Sequence, residues 1–219
     1  MKYKAAIFDL DGTLLDTLQD LGDSMNQVLK SQGLPIHEIE KYKYFVGNGM
    51  YNLVMRTLPP DRREESFVSY CHTLLKKEYG KRWADTTKPY EGIPELLDKF
   101  TTLRYKLAVL SNKPHEFTQL VVKKLLPDWK FDVIFGERQG VPRKPAPAGA
   151  LEIADLFGIP TDEFLYFGDT GTDMITAKAA GMFAVGVLWG FRPADELLEN
   201  GADLLVEKPC NIFRLIQTT

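Results

Sequence analysis

Two carboxylates separated by one residue, Asp9 and Asp11, follow the apolar run Ala5-Ala6-Ile7-Phe8 and precede Gly12 and Thr13. The run has the continuous apolar character of a strand buried on both faces. Side chains at i and i+2 share a face while a strand persists, so an extended end would put both acids on one side. Gly12 permits a sharp turn after them. Paired carboxylates repel, and one is driven toward protonation unless something compensates. A divalent cation is the simplest compensation. Asp-x-Asp-Gly is also ordinary turn chemistry, so the pair points to a metal only in company with other stretches.

Three such stretches follow. Lys106-Leu107-Ala108-Val109-Leu110 reads as a second buried strand ending in Ser111-Asn112-Lys113-Pro114. Arg143-Lys144-Pro145-Ala146-Pro147 precedes a helix ending near Gly158. A strand over residues 163–167 runs into Gly168-Asp169-Thr170-Gly171-Thr172-Asp173. Ligands of open α/β sheets sit beyond the carboxyl ends of strands, which is where these polar residues fall. Taken singly, each has a plainer reading: Ser111 as a helix cap, Lys144 as a solvated loop lysine, Gly168-Asp169 as a turn, and Asp173 as a first-turn acid favoured by the helix dipole. Lys113 and Arg56 read as surface charge, although either could meet an anionic substrate group. His37, His72 and His115 are assigned no role, and Cys71 reads as a core thiol.

The elements that must position these residues alternate. Strands are expected near residues 5–8, 106–110, 131–135, 163–167 and 183–187, with helices between them, which is the pattern of a parallel sheet with right-handed crossovers. The expected fold is therefore α/β, a doubly wound parallel sheet of the Rossmann-like kind. Residues 36–83 break the alternation and read as helix after helix. A first helix runs from Asp16 to about Gly33 with the stripe Leu18, Leu21, Met25, Val28 and Leu29. Pro59-Pro60-Asp61 is expected to open a later one, with Phe67, Tyr70, Cys71, Leu74 and Leu75 on its apolar side. The domain expectation is a core over residues 1–15 and 90–219, with a small helical insertion over 16–89.

Composition excludes some classes. The chain has 219 residues, is 44% hydrophobic and carries a net charge of −3, enough for a sizeable core and without the basic field of a nucleic-acid binder. Two cysteines, Cys71 and Cys210, make no disulfide scaffold, and a reducing, cytoplasmic setting is the default. No signal peptide is read at the start, and no apolar run approaches the roughly 20 residues of a membrane span.

Together, Asp9-x-Asp11-Gly12-Thr13, Ser111, Lys144 with Pro145-x-Pro147, and Gly168-Asp169-x-x-x-Asp173 resemble the four ordered motifs of the haloacid dehalogenase-like hydrolase superfamily. The helical insertion resembles that superfamily's smaller cap. Gly47-Asn48-Gly49 and Val187-Leu188-Trp189-Gly190-Phe191 are most similar to its phosphoglycolate phosphatases. The resemblance implies a Mg²⁺-dependent phosphatase of a small phosphorylated metabolite, with 2-phosphoglycolate favoured. It makes Asp9 the nucleophile that forms an aspartyl-phosphate and Asp11 the general acid and base. Ser111 and Lys144 would bind and neutralise the phosphoryl group. Gly12, Thr13 and Asn112, with Gly47, Asn48 and Gly49 of the cap, would bind substrate. The metal would lie between Asp9, the backbone carbonyl of Asp11 and Asp169, with Asp173 supporting it or Lys144. The cap reads as a lid that closes over the site. An inorganic pyrophosphatase, a sugar-phosphate mutase and, outside enzymes, a phospho-acceptor receiver remain alternatives. Partners are expected to be a small phosphoester, neither nucleic acid nor membrane, with the chain a monomer or homodimer.

Overall fold

The computed structural model describes residues 2–213. The first apolar run becomes β1 (Ala5–Phe8), buried throughout. The chain continues through β2 (Leu15–Asp16), the helices α1 (Leu18–Ser31), α2 (Tyr42–Phe45), α3 (Met50–Thr57) and α4 (Glu65–Arg82), and β3 (Lys88–Pro89). Helix and strand then alternate: α5 (Ile93–Thr102), β4 (Lys106–Pro114), α6 (His115–Leu125), β5 (Val133–Glu137), α7 (Ala148–Phe157), β6 (Phe164–Gly168), α8 (Gly171–Ala179), β7 (Phe183–Val187), α9 (Ala194–Glu199) and β8 (Leu204–Val206). The chain divides into two units. One comprises the residues up to Leu15 together with those from Pro89 onward, and the other is Asp16–Lys88.

In the α/β unit, six strands lie in the order β5-β4-β1-β6-β7-β8, and all adjacent pairs are parallel. The chain winds outward from β1 through β4 to β5, then returns to β6 on the other side of β1. The order therefore reverses between β1 and β6, the crevice where doubly wound sheets place their ligands. Phe8 lies opposite both Val109 and Phe167, so β1, β4 and β6 deliver the residues after them at one height. Alternation along the strands feeds two apolar layers. Ile7, Phe164 and Tyr166 pack with Ile153, Met174 and Leu197 of the helices on one face. On the other, Phe8 stacks on Phe167 at 4.8 Å, and Phe100 of α5 meets both edge-on. Each ring so buried contributes about 1.5–3 kcal/mol. The edge strand β8 was not expected, because three residues carry too little pattern to read.

β1 stops before the acids. The Asp9 amide still donates to the Phe167 carbonyl at 2.9 Å, but the Leu14 and Leu15 amides both turn back to the Leu10 carbonyl. Asp9 and Asp11 thus stand in a tight loop and not on the extended strand end inferred from their spacing.

In the helical unit, α1 buries the expected Leu18, Leu21, Met25, Val28 and Leu29. Asp20, also buried on α1, accepts hydrogen bonds from the amides and hydroxyls of Thr86 and Thr87 at 2.6–3.2 Å. A buried carboxylate needs such donors, and these pin the end of the inserted segment to its beginning. The later helix departs from expectation. Pro60–Arg62 forms a separate 3₁₀ turn, α4 starts at Glu65, and its buried row is Val68, Cys71, Leu75 and Tyr79. Tyr70 is exposed.

Candidate active site

Three of the expected acids converge. Asp9, after β1, and Asp169 and Asp173, after β6, are buried and present carboxylate oxygens that all lie within 4.8 Å of one another. Lys144, from the loop before α7, is buried among them. Its Nζ is 3.0 Å from Asp9 Oδ1 and donates to Asp173 Oδ1 at 2.6 Å. Asp173 serves two purposes at once. Its other oxygen accepts from the amide and hydroxyl of Thr170, closing the capping box that starts α8. The helix cap therefore fixes the carboxylate that holds the lysine.

Asp169 is held just as closely. Its oxygens accept from the Thr13 hydroxyl at 3.2 Å and the Phe191 amide at 2.8 Å. Trp189 Nε1 donates to the Thr13 carbonyl at 2.9 Å, tying the Asp9–Thr13 loop to the segment after β7. Gly12 has φ +86, and a Cβ there or at Gly190 would collide with the Asp169 side chain. Only glycine suits both demands at Gly12. The stretch Trp189-Gly190-Phe191 thus has a physical task that the sequence alone did not disclose: it builds the seat of Asp169.

Electrostatics set the character of the cluster. Burial, and then the charges of Asp173 and Asp11, push the Asp9 carboxyl up to about 7 against the opposing pull of Lys144. Burial likewise raises Asp169 well above the carboxylate range, with Asp173 and Asp9 adding to it. Burial disfavours the Lys144 ammonium, yet Asp173 and Asp9 outweigh it and hold the lysine charged well above its ordinary value. Against the four carboxylates of Asp9, Asp11, Asp169 and Asp173 stand two paired lysines, Lys144 and Lys113. A compact set of hard oxygen donors with excess negative charge fits a divalent cation, which would reverse the upward push on Asp9 and Asp169.

Asp11 stands apart from this cluster. Lys113 Nζ donates to both of its oxygens, at 2.8 and 3.1 Å, and the lysine side chain is 1% exposed. Lys113 is therefore not surface charge. The strand β4, expected to end before Ser111, runs through Pro114 and carries Lys113 inward. Arg56, by contrast, stays partly exposed, and within the helical unit it donates to the Asn48 side chain at 2.7 Å and the Phe45 carbonyl at 3.2 Å.

Of the remaining expected residues, Ser111 is buried and its hydroxyl accepts from the Lys113 amide at 3.3 Å. Asn112 donates its amide to the Lys144 carbonyl at 3.1 Å, holding the Lys144 loop against β4. Thr13 spends its hydroxyl on Asp169. Gly47, Asn48 and Gly49 lie in the helical unit before α3, where both glycines have positive φ, 116 and 84, and Asn52 donates to the Asn48 carbonyl. His37 is a structural pin, its Nε2 2.8 Å from the Thr57 carbonyl.

Comparison with known proteins decides the family. A model described as haloacid dehalogenase-like hydrolase matches residues 6–187. This chain belongs to the haloacid dehalogenase-like hydrolase family. It is 30% identical to the phosphoglycolate phosphatase of Chromobacterium violaceum, over 98% of this chain and 96% of that one. It is 29% identical to that of Aquifex aeolicus, over 97% and 96%. The crystal structure of a candidate phosphoglycolate phosphatase from Lactobacillus delbrueckii subsp. bulgaricus superposes with a TM-score of 0.92 at 33% identity, covering 99% of both chains. As in other hydrolases of this family, the fold is a parallel sheet flanked by helices. No helix among the described residues is long and apolar enough to cross a membrane.

Proposed function

We propose that this haloacid dehalogenase-like hydrolase is a Mg²⁺-dependent phosphomonoesterase acting on a small phosphorylated metabolite, with 2-phosphoglycolate the favoured substrate. The observation that carries the reading is the division of two neighbouring acids between two lysines. Asp9 lies 3.0 Å from Lys144, while Asp11 lies 2.8 Å from Lys113. Carboxylates with different partners suit different tasks. The similarity to phosphoglycolate phosphatases along nearly the whole chain supports the substrate.

In this reading Asp9 attacks phosphorus, forming an O–P bond as the ester O–P bond breaks, and an aspartyl-phosphate results. Asp11, released from Lys113 and protonated from solvent, gives that proton to the leaving oxygen. It then takes a proton from the water that attacks the aspartyl-phosphate, releasing inorganic phosphate and restoring both acids. Lys144 and the Ser111 hydroxyl offset charge on the phosphoryl oxygens, aided by the Gly12, Thr13 and Asn112 segment. Asp9, the Asp11 carbonyl and Asp169 would hold Mg²⁺, whose charge neutralises the phosphoryl group when bound. Asp173 orients Lys144. The helical unit is proposed as the lid, with Gly47-Asn48-Gly49 meeting substrate. A cytoplasmic location and a monomeric or homodimeric state go with this reading.

The test is phosphate release from a panel of phosphoesters with Mg²⁺, with excess chelator, and with Ca²⁺. Turnover is expected with Mg²⁺ alone, fastest on 2-phosphoglycolate. Ca²⁺ should inhibit because its looser coordination disturbs the in-line geometry. Full activity in chelator, or retention of phosphate on a sugar product, would overturn the proposal.

A further inference from the structure

Lys113 has no part in the mechanism above, yet its placement is costly. Its side chain is 1% exposed, and its ammonium spans both oxygens of Asp11 at 2.8 and 3.1 Å. Burying an ammonium is tolerated only where anions meet it. Lys144 lies by contrast against Asp9 and Asp173. The site therefore has two cations on two different acids, and the acids define where each cation works. Asp9 addresses phosphorus, so Lys144 belongs to the phosphoryl side. Asp11 addresses the oxygen of the departing alcohol, so Lys113 belongs to the alcohol side.

From this geometry we infer that Lys113 is a specificity-determining residue that selects phosphoesters carrying a second anion, a carboxylate, on the alcohol half. The inference rests on the phosphomonoesterase reading and deepens it. When Asp11 turns its carboxyl toward the leaving oxygen, Lys113 gives up an anionic contact. A carboxylate one carbon from that oxygen is the anion that a substrate can offer in its place. A substrate with only a methyl group there offers nothing in exchange, so the release of Asp11 is then uphill. Selection comes from exchanging one anion for another at a buried cation, and it is felt most in the transition state, where Asp11 must be free.

The test uses a pair that differ by a carboxylate in place of a methyl group, 2-phosphoglycolate and ethyl phosphate, on the full chain with Mg²⁺. A hydrogen bond to a charged group is worth about 1.5–3 kcal/mol, which converts to about 10–100-fold. The wild type should favour 2-phosphoglycolate in kcat/KM by about that factor. Lys113→Met should lose most of this preference, its kcat/KM on 2-phosphoglycolate falling about 10–100-fold further than on ethyl phosphate. Lys113→Arg should retain the preference. Equal losses on both substrates would show that Lys113 merely supports the fold or Asp11, and would overturn the inference. Should Lys113→Met not fold, Lys113→Gln takes its place, and equal wild-type kcat/KM on the pair overturns the inference with no variant at all. Failure of the wild type to hydrolyse either ester would remove the phosphatase reading and this inference with it. Hydrolysis of both with an unchanged ratio in the variants removes the inference alone.

Discussion

Raising the pH of the metal-free protein should destabilise it, and Mg²⁺ should return that stability. The Asp9 carboxyl is raised from 3.8 to about 7, chiefly by burial. Its folded value lies above its unfolded value, so the folded state holds the proton more tightly. The associated stability is present in full below about pH 4 and is lost as pH rises through about 7. A displacement of about three on the pH scale, at about 1.4 kcal/mol each, amounts to about 4 kcal/mol. Asp169, raised in the same direction, adds to the loss. Lys144, raised above the ordinary lysine value, stays charged throughout this window and contributes no slope. A bound divalent cation stabilises the ionised carboxylates, so the Mg²⁺-induced gain in stability should grow from pH 5 to pH 8. For a chain of this size about 4 kcal/mol corresponds to about 8–16 °C in Tm. Calorimetric melting in chelator and in saturating Mg²⁺, across that pH range, reads the difference directly. A Mg²⁺ effect that is flat with pH, or that shrinks as pH rises, would refute the account of the buried acids.

Other perturbations follow from single contacts. Asp173→Asn leaves Lys144 with Asp9 as its carboxylate partner and weakens the Thr170 cap; urea unfolding should show a loss of about 1–2 kcal/mol, and an unchanged midpoint would contradict the capping role. Asp20→Ala strips the amides and hydroxyls of Thr86 and Thr87 of their shared acceptor and should cost about 3 kcal/mol by the same assay, whereas an unchanged midpoint would mean the pin does no work. Gly49→Leu places a side chain at φ +84. It should depress kcat/KM on 2-phosphoglycolate more than on a small generic phosphoester, and equal losses would count against a substrate contact.

The sequence disclosed the parts that repeat a strong pattern. The apolar runs that become β1, β4 and β6 are continuous, and the polar residues after them fall at the sheet's carboxyl edge. The α1 stripe is legible because five apolar residues keep helical spacing over three turns. α4 is less so: the Pro59-Pro60 start suggested a phase, but a 3₁₀ turn intervenes and the helix begins at Glu65, shifting the buried face to Val68, Cys71, Leu75 and Tyr79. Lys113 was unreadable for a different reason. Its partner Asp11 lies 102 positions away, and no local property of Ser111-Asn112-Lys113 says that β4 continues through it into the interior. The double duty of Asp173 was half visible, since an acid in the first helical turn is good capping chemistry. The lysine on its other oxygen comes only from the fold.

The central claim is that Asp9 is the nucleophile and Asp11 the proton carrier, and one measurement separates them. Asp11→Asn keeps the nucleophile and the backbone carbonyl but removes proton transfer from both half-reactions, a loss of about 10²–10⁴-fold. A nitrophenyl phosphate ester needs no protonation of its leaving group, so the first half-reaction should survive with it while hydrolysis of the intermediate stalls. Mass spectrometry after mixing Asp11→Asn with that ester and Mg²⁺ should find a phosphorylated protein with the group on Asp9. Phosphate on any other residue, or near-normal turnover of nitrophenyl and alkyl esters alike, would contradict the assignment.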